Sequence, residues 1–335
     1  MSKSPSIGIC GVGHYLPDTV IDNQHFVDRG MDTTPEWIQT RTGIETRHIS
    51  DASQYTSDLA ASACQMAIDS SGISKDLIDF IIVATATPDH SGFPSTACLV
   101  QSKLQLSRSI PCFDISAACS GFAYGVSIAY GFLKSQMGTY GLVVGAEQLS
   151  KVVDWKDRRS AILFGDGAGC ALIGPVSSGG ILGIDQGADG NSHHILSCVS
   201  TSNRESFSGE SILGETHMIQ MDGPAVFKKG VQVVVDSIQS VCASSGMPLS
   251  SIDYFICHQA NRRILESVGK KLNIPIDAFL MNIESVGNTS AASIPLVLSH
   301  YHQQNKFKPG DRLCLVGFGA GFTWSSIIIE WSHTL

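Results

Sequence analysis

The chain has 335 residues, 43% of them hydrophobic and 16% charged, with a formal net charge of −8 at pH 7. That length and apolar content suffice for a large core, as two domains or one two-part domain, and the acidic balance excludes bulk nucleic-acid binding. Ten cysteines without a C-x-x-C pair, behind an opening "MSKSPSIGICG" with no secretory pattern, read as reduced thiols of a cytoplasm-like compartment.

In chain order, strand-like and helix-like runs alternate. "GVGHYLP" (11–17) lacks the full G-x-G-x-x-G spacing and implies no dinucleotide. "SDLAASACQMAIDSSG" (57–72) reads as a helix. "DFIIVAT" (79–85) is apolar and rich in β-branched residues, as suits a strand buried on both faces. "IPCFDI" (110–115) is a further strand-like run. Residues 115–133 carry no charge, but six of them are Ser or Gly, and Asp114 and Lys134 close the segment abruptly. It predicts a helix buried on all sides in a soluble core, not a membrane span. "GLVVGA" (141–146), "IDYFICH" (252–258) and "RLCLVGF" (312–318) repeat the buried-strand pattern, and "AVFKKGVQVVVDSIQSVCASSG" (225–246) is helical. The alternation predicts an α/β fold with central sheets.

The chain also repeats itself. "SSGISKDLIDFIIVAT" (70–85) aligns with "SSGMPLSSIDYFICHQ" (244–259), pairing Gly72 with Gly246 and Asp79 with Asp253 at an offset of 174. At the same offset "SAACS" (116–120) lies over "SAASI" (290–294), which puts Cys119 on Ser293. "FGDGAGCALI" (164–173) echoes "GFGAGFTWSSIII" (317–329). Two similar halves are expected, 1–175 and 176–335, with the boundary at 177–180. Their equivalent helices would pack centrally, where small residues let backbones approach, and Cys119 would face loops of the second half.

Four features bear on chemistry. Cys119 follows "IPCFDI" and is expected to open a helix, where orphan N–H groups and the positive dipole end lower a thiol's pKa; a small residue in a packing seam is the plainer reading. His258 ends a buried strand in "HQANRR", either bonded to a polar neighbour or in an active site beyond strand C-termini. Asn288 in "SVGNTSAAS" is a helix N-cap or part of a pocket shared with Cys119. "GFGAGFTW" (317–324) is a turn, or a set of N–H groups aimed at an oxyanion. "HHILSC" (193–198) has metal-type residues but no second cluster.

"DISAACSGF", "HQANRRI", "GNTSAAS", "GFGAGFTW" and the early "EWIQTRTGIETRHI" together resemble β-ketoacyl-acyl-carrier-protein synthase III of the thiolase-like superfamily, over residues 7 to 330. The resemblance implies a duplicated five-layer α/β/α/β/α fold and a decarboxylative Claisen condensation. In it an acyl group from acyl-coenzyme A (acyl-CoA) is joined to malonyl-acyl-carrier protein, which initiates type II fatty-acid synthesis. It implies a catalytic set of Cys119, His258 and Asn288, and oxyanion donors at Cys119, Gly319 and Ala320. Trp37, Arg41 and Arg158 would contact coenzyme A, Phe318 would touch substrate, and Phe93 would reach across a homodimer into the acyl pocket. No metal or cofactor is implied beyond the thioester substrates, and no membrane. Where the family usually has three successive glycines this chain has Gly319, Ala320, Gly321, which a negative φ at Ala320 would permit. Arg159 and Arg262 are additional charges beside the matched arginines.

Nine of the 22 Lys and Arg lie in three short segments: Lys156, Arg158 and Arg159; Lys228 and Lys229; Arg262, Arg263, Lys270 and Lys271. Solvated helix faces are the plain reading. An acidic carrier protein entering near His258 would instead dock on Lys228, Arg262 and Arg263. Among rival functions, a papain-like thiol hydrolase also uses Cys, then His (here 139 residues on), then Asn. It lacks the duplication, and this chain lacks its local cysteine signature. A non-catalytic scaffold has no need of the three residues at one seam. A relative making quinolones, polyketides or esters with the same triad is the nearer alternative.

Overall fold

The computed structural model describes residues 6–198, 204–205, 211–212 and 218–332; residues 1–5, on which part of the leader argument rests, lie outside them. Two sheets form the frame. The first holds β1 (Ser6–Tyr15), β2 (Ile78–Ala84), β3 (Cys112–Ile115), β4 (Tyr140–Gln148) and β5 (Asp166–Val176) in the order β1-β5-β4-β2-β3. The second holds β6 (Gly180–Ala188), β7 (Tyr254–Cys257), β8 (Arg312–Gly319) and β9 (Thr323–Glu330) in the order β6-β9-β8-β7.

The two sheets share one plan. In each, the first two pairings are antiparallel and the third is parallel. A parallel bridge between Phe255 and Phe279 stands where β3 pairs with β2. The outer face of the first sheet carries α1 (Thr56–Ser71) and α2 (Thr96–Lys103); that of the second carries α4 (Gly223–Ser244) and α5 (Arg262–Leu272). Between the sheets lie α3 (Gly121–Lys134) and α6 (Ser293–Gln303). The result is the five-layer α/β/α/β/α arrangement that the sequence implied.

The strands are apolar throughout because both faces are covered. Along β2, Phe80 and Ile82 join the central core with Phe122, Val126 and Val297, while Ile81 and Val83 face α1 beside Leu59 and Ala63. α3 lies close on the first sheet because its contact residues are small. A Cβ at Gly121 would stand 2.9 Å from that of Ala84, and one at Gly125 2.8 Å from Val143 Cγ1. The uncharged run is therefore a core helix. Among the described residues no helix is long and apolar enough to cross a membrane.

The repeat is visible residue by residue. Gly72 and Gly246, closing α1 and α4, are both left-handed, at φ 68° and 65°. Asp79 and Asp253 both accept from the N–H at the start of the neighbouring strand, Thr139 at 2.7 Å and Arg312 at 2.8 Å. The second block departs from the expected offset. The 3-10 turns Ala118–Ser120 and Ser290–Ala292 lead into α3 and α6, each opening on a left-handed residue, Ala118 at φ 45° and Ser290 at φ 48°. They are 172 residues apart, so the residue matching Cys119 is Ala291, not Ser293. The second half is two residues shorter between its blocks, a gap that identical-letter matching passes over.

Candidate active site

Cys119 lies in the 3-10 turn between β3 and α3, two residues before the helix begins at Gly121. The strand end of β8 is pressed against it. A Cβ at Gly319 would sit 2.6 Å from the Cys119 nitrogen, and one at Gly317 2.7 Å from Ser120 Cα, so both positions require glycine. The thiol is buried, and burial pushes its pKa up to about 12. A hydrogen bond from Ser290 opposes this shift, and the carboxylate of Glu147 adds to it. The thiol is thus raised rather than lowered, with desolvation by burial the main cause.

His258 follows β7, and its N–H donates to Val316 O at 2.7 Å. The ring is buried edge-on to Phe318, 5.2 Å between centroids, and burial lowers its pKa to about 3. It is neutral at physiological pH. Nδ1 lies 3.1 Å from Ser293 Oγ; with Ser293 as the donor of that bond, the neutral ring carries its proton on Nε2. Asn288 is locked by its backbone, donating to Leu163 O at 2.8 Å and accepting from Gly165 N at 3.0 Å. Its Oδ1 accepts from Ser290 N at 2.9 Å, which leaves Nδ2 free to donate.

Cys119, His258 and Asn288 line one cavity. Phe318, Gly319 and Ala320 line it too, beside apolar residues such as Leu149, Val152 and Phe164. Ala320 lies outside the left-handed region, which falls on Gly321 at φ 132°, so the methyl group is accommodated. The turn is tied to the end of β6 by reciprocal backbone bonds between Asp189 and Phe322, 2.7 and 2.9 Å.

The matched coenzyme A contacts also converge. Trp37 lies in the helix Pro35–Thr42, with the guanidinium of Arg158 4.8 Å from its ring centre and that of Arg41 5.7 Å away. Asn261, a cavity residue, donates to Arg41 O at 3.0 Å, joining this patch to the cavity. Arg263, opening α5, lies 5.9 Å from the ring of Phe227, another cavity residue, and Lys228 next to it is exposed. Three other cations are already paired: Arg262 with Glu266 at 3.2 Å, Lys229 with Asp189 at 2.6 Å, and Arg159 with Asp157 at 3.0 Å. Phe93 stands apart from the cavity lining, 92% exposed.

Sequence reasoning missed Glu147, Ser290, Ser293 and Phe227. Glu147 had a signal, a lone acid at the end of the apolar run "GLVVGAE". The serines had none, since hydroxyls are common in small-residue helix starts.

Known proteins give the same picture. The family described as 3-oxoacyl-[acyl-carrier-protein (ACP)] synthase III matches residues 113–190, and its C-terminal counterpart matches residues 242–331. The β-ketoacyl-[acyl-carrier-protein] synthase III of Caldanaerobacter subterraneus subsp. tengcongensis is 44% identical over 333 residues, covering 99% of this chain and 100% of that one. The crystal structure of the 3-oxoacyl-[acyl-carrier-protein] synthase III from Aquifex aeolicus covers 97% of this chain and 100% of its own at 38% identity, with a TM-score of 0.88. That of Thermus thermophilus β-ketoacyl-[acyl-carrier-protein] synthase III covers 98% and 100% at 36% identity, with a TM-score of 0.90. Likeness of this degree over the whole length, on the duplicated fold found above, means that the chain belongs to the 3-oxoacyl-[acyl-carrier-protein] synthase III family.

Proposed function

We infer that the protein is an acyltransferase carrying out the condensation that initiates type II fatty-acid synthesis. It joins an acyl group from acyl-CoA to malonyl-acyl-carrier protein and releases CO2 and coenzyme A. The observation that carries this reading is the convergence of a thiol and two neutral hydrogen-bond donors on one cavity. Cys119 exchanges thioesters, and the N–H groups of Cys119 and the 319–320 turn hold the oxyanion on the acyl carbonyl. Decarboxylation of the malonyl thioester then places negative charge on its carbonyl oxygen. Nε2–H of His258 and Nδ2–H of Asn288 donate to that enolate. Both are neutral, so they stabilise the charge without transferring a full proton.

Trp37, Arg41 and Arg158 receive the nucleotide end of coenzyme A, and Phe318 faces the substrate. Arg263, Arg262 and Lys228 meet the acidic carrier protein. Phe93 completes the acyl pocket of a second copy in a homodimer. The two halves, 1–175 and 176–335, act as one unit in the cytoplasm without metal or cofactor. The test is sequential: incubate the protein with radiolabelled acetyl-CoA, then with malonyl-acyl-carrier protein. Label is expected first on Cys119 and then in a β-ketoacyl product. Release as free acetate would instead indicate a thiol hydrolase.

A further inference from the structure

The two N–H groups assigned to the acyl oxyanion come from opposite halves of the chain. Cys119 N–H belongs to the turn Ala118–Ser120 before α3, and Ala320 N–H to the turn that joins β8 to β9. An oxyanion hole works because its donors are in place before the charge develops; donors that must first move lose that advantage. The spacing of these two turns therefore needs a fixed support.

Packing supplies part of it. Gly319 lies against Cys119 and Gly317 against Ser120, each too close to admit a Cβ. Across the turn Gly319 pairs with Thr323, the first residue of β9. Ala320 and Gly321 lie between them, outside the strand pairing. Gly321 sits at φ 132°, and a glycine there leaves the 320–321 peptide easy to rotate.

Two hydroxyls meet this turn. Ser120 is fully buried, with its Oγ 2.8 Å from Thr323 Oγ1 and 2.7 Å from Ala117 O. Thr323 Oγ1 lies 3.1 Å from Ala320 O and 3.1 Å from Ala117 O. Each hydroxyl has one proton to give. With Ser120 as the donor to Thr323, the Thr323 proton serves Ala320 O, and Ala117 O keeps the Ser120 N–H at 3.1 Å. The chain Ser120–Thr323–Ala320 then runs from the first half to the second with every bond supplied with a proton. The methyl group of Thr323 covers the turn as well: a Cβ at Gly321 would meet its Cγ2 at 2.9 Å. With Gly319 fixed by packing on one side and the Ala320 carbonyl anchored on the other, the Ala320 N–H between them is held in one orientation.

We propose that Thr323, backed by Ser120, is a positioning residue for the condensation: its hydroxyl ties the 319–320 turn to the Cys119 turn and so fixes the spacing of the two N–H groups that receive the acyl oxyanion. The proposal rests on the reading of those groups as the oxyanion donors. Neither hydroxyl lines the cavity, so both act through the backbone they hold.

The experiment measures acylation of the full-length protein by acetyl-CoA in single turnover, read by mass spectrometry, for the wild type, Thr323→Val, Thr323→Ser and Ser120→Ala. Alkylation of Cys119 by iodoacetamide is followed in parallel, since it uses the same thiol but forms no oxyanion. Losing an oxyanion donor outright costs about 100- to 1000-fold, so a donor left in place but unsupported is expected to cost about tenfold. In Thr323→Val the maximal acylation rate falls by that amount. The acetyl-CoA concentration giving half that rate, and the alkylation rate, stay near wild type. Thr323→Ser restores acylation because it restores the hydroxyl, and Ser120→Ala lowers it by less than Thr323→Val does. Acylation in Thr323→Val that is unchanged, or that falls together with alkylation, overturns the proposal. A Thr323→Ser variant no better than Thr323→Val overturns it too. Should Thr323→Val fail to fold, Ser120→Ala decides by the same comparison of acylation with alkylation. Absence of an adduct on wild-type Cys119 defeats the proposed function itself; wild-type acylation with an unaltered Thr323→Val rate defeats only the positioning role.

Discussion

Ala118 at φ 45° turns the chain so that Cys119 meets the glycine edge of β8, and at the residue scale this contact fixes where the thiol sits. Non-glycine residues seldom hold that conformation without compensating packing. Cys119→Ala is expected to abolish acyl transfer from acyl-CoA, with no adduct in intact-mass spectra; an adduct on Cys112 or Cys170 would sink the assignment. In the proposed reaction His258→Ala and Asn288→Ala each remove a donor to the enolate, and each loss is expected to slow malonyl decarboxylation about 100- to 1000-fold. Both variants should still acylate Cys119 measurably. Acylation failing as badly as decarboxylation would make His258 the base. These three residues were legible because each sits at the end of an apolar run where burial alone has no use for it. Glu147 was legible only as an oddity: its carboxyl group is held by Thr85, Ala86 N–H and Thr87, which the fold brings from a segment about sixty residues away.

At the scale of elements, the outer helices α4 and α5 carry the charge question. Arg263 packs toward Phe227 at the cavity, while Arg262 is already held by Glu266. Arg263→Glu is expected to raise the KM for malonyl-acyl-carrier protein several-fold, and more at low salt, with Lys228→Glu weaker in the same direction. Self-acylation by acyl-CoA should stay near wild type in both. Arg158→Glu, beside Trp37, should impair acylation as well, because coenzyme A is itself anionic. Steady-state kinetics at two ionic strengths check all three, and unchanged carrier-protein kinetics in Arg263→Glu would leave these helices as solvated faces. The five runs read as strands lie within a few residues of β2, β3, β4, β7 and β8, because strands covered on both faces are apolar without interruption, whereas β1, β5, β6 and β9 were not read as strands. The short turns were not placed correctly, since a two-residue change in loop length leaves no trace in hydrophobic pattern.

At the scale of the molecule, burial sets the response to acid. His14, His258 and His302 all have lowered pKa values, with desolvation the main cause. The unfolded chain takes up protons below about pH 6.5 that the folded chain refuses, so stability falls as pH drops. For His258 the loss runs from about 6.5 down to about 3, at up to about 1.4 kcal/mol per pH unit. Glu147, raised by burial, works in the opposite sense. Melting temperatures at pH 7.5, 6.0 and 5.0 should decline in that order, and less steeply in His258→Asn; a flat series would contradict it. The duplication itself was legible from glycines and aspartates that both halves need, but the pairing plan that the five- and four-stranded sheets share was not.

That shared plan has a consequence for how the two copies divide their labour. The left-handed elbow occurs twice, at Ala118 and at Ser290, and the second copy has alanine where the first has its thiol. The same bend thus serves two trades. In one half it turns a sulfur into the cavity. In the other it turns the Ser290 N–H onto Asn288 Oδ1, at 2.9 Å, and so orients that side chain. A chain built as two halves of one pattern therefore works asymmetrically, one half acting and its counterpart attending. Grafting a cysteine at Ala291 would accordingly give the molecule not a second active site but a thiol with no attendant.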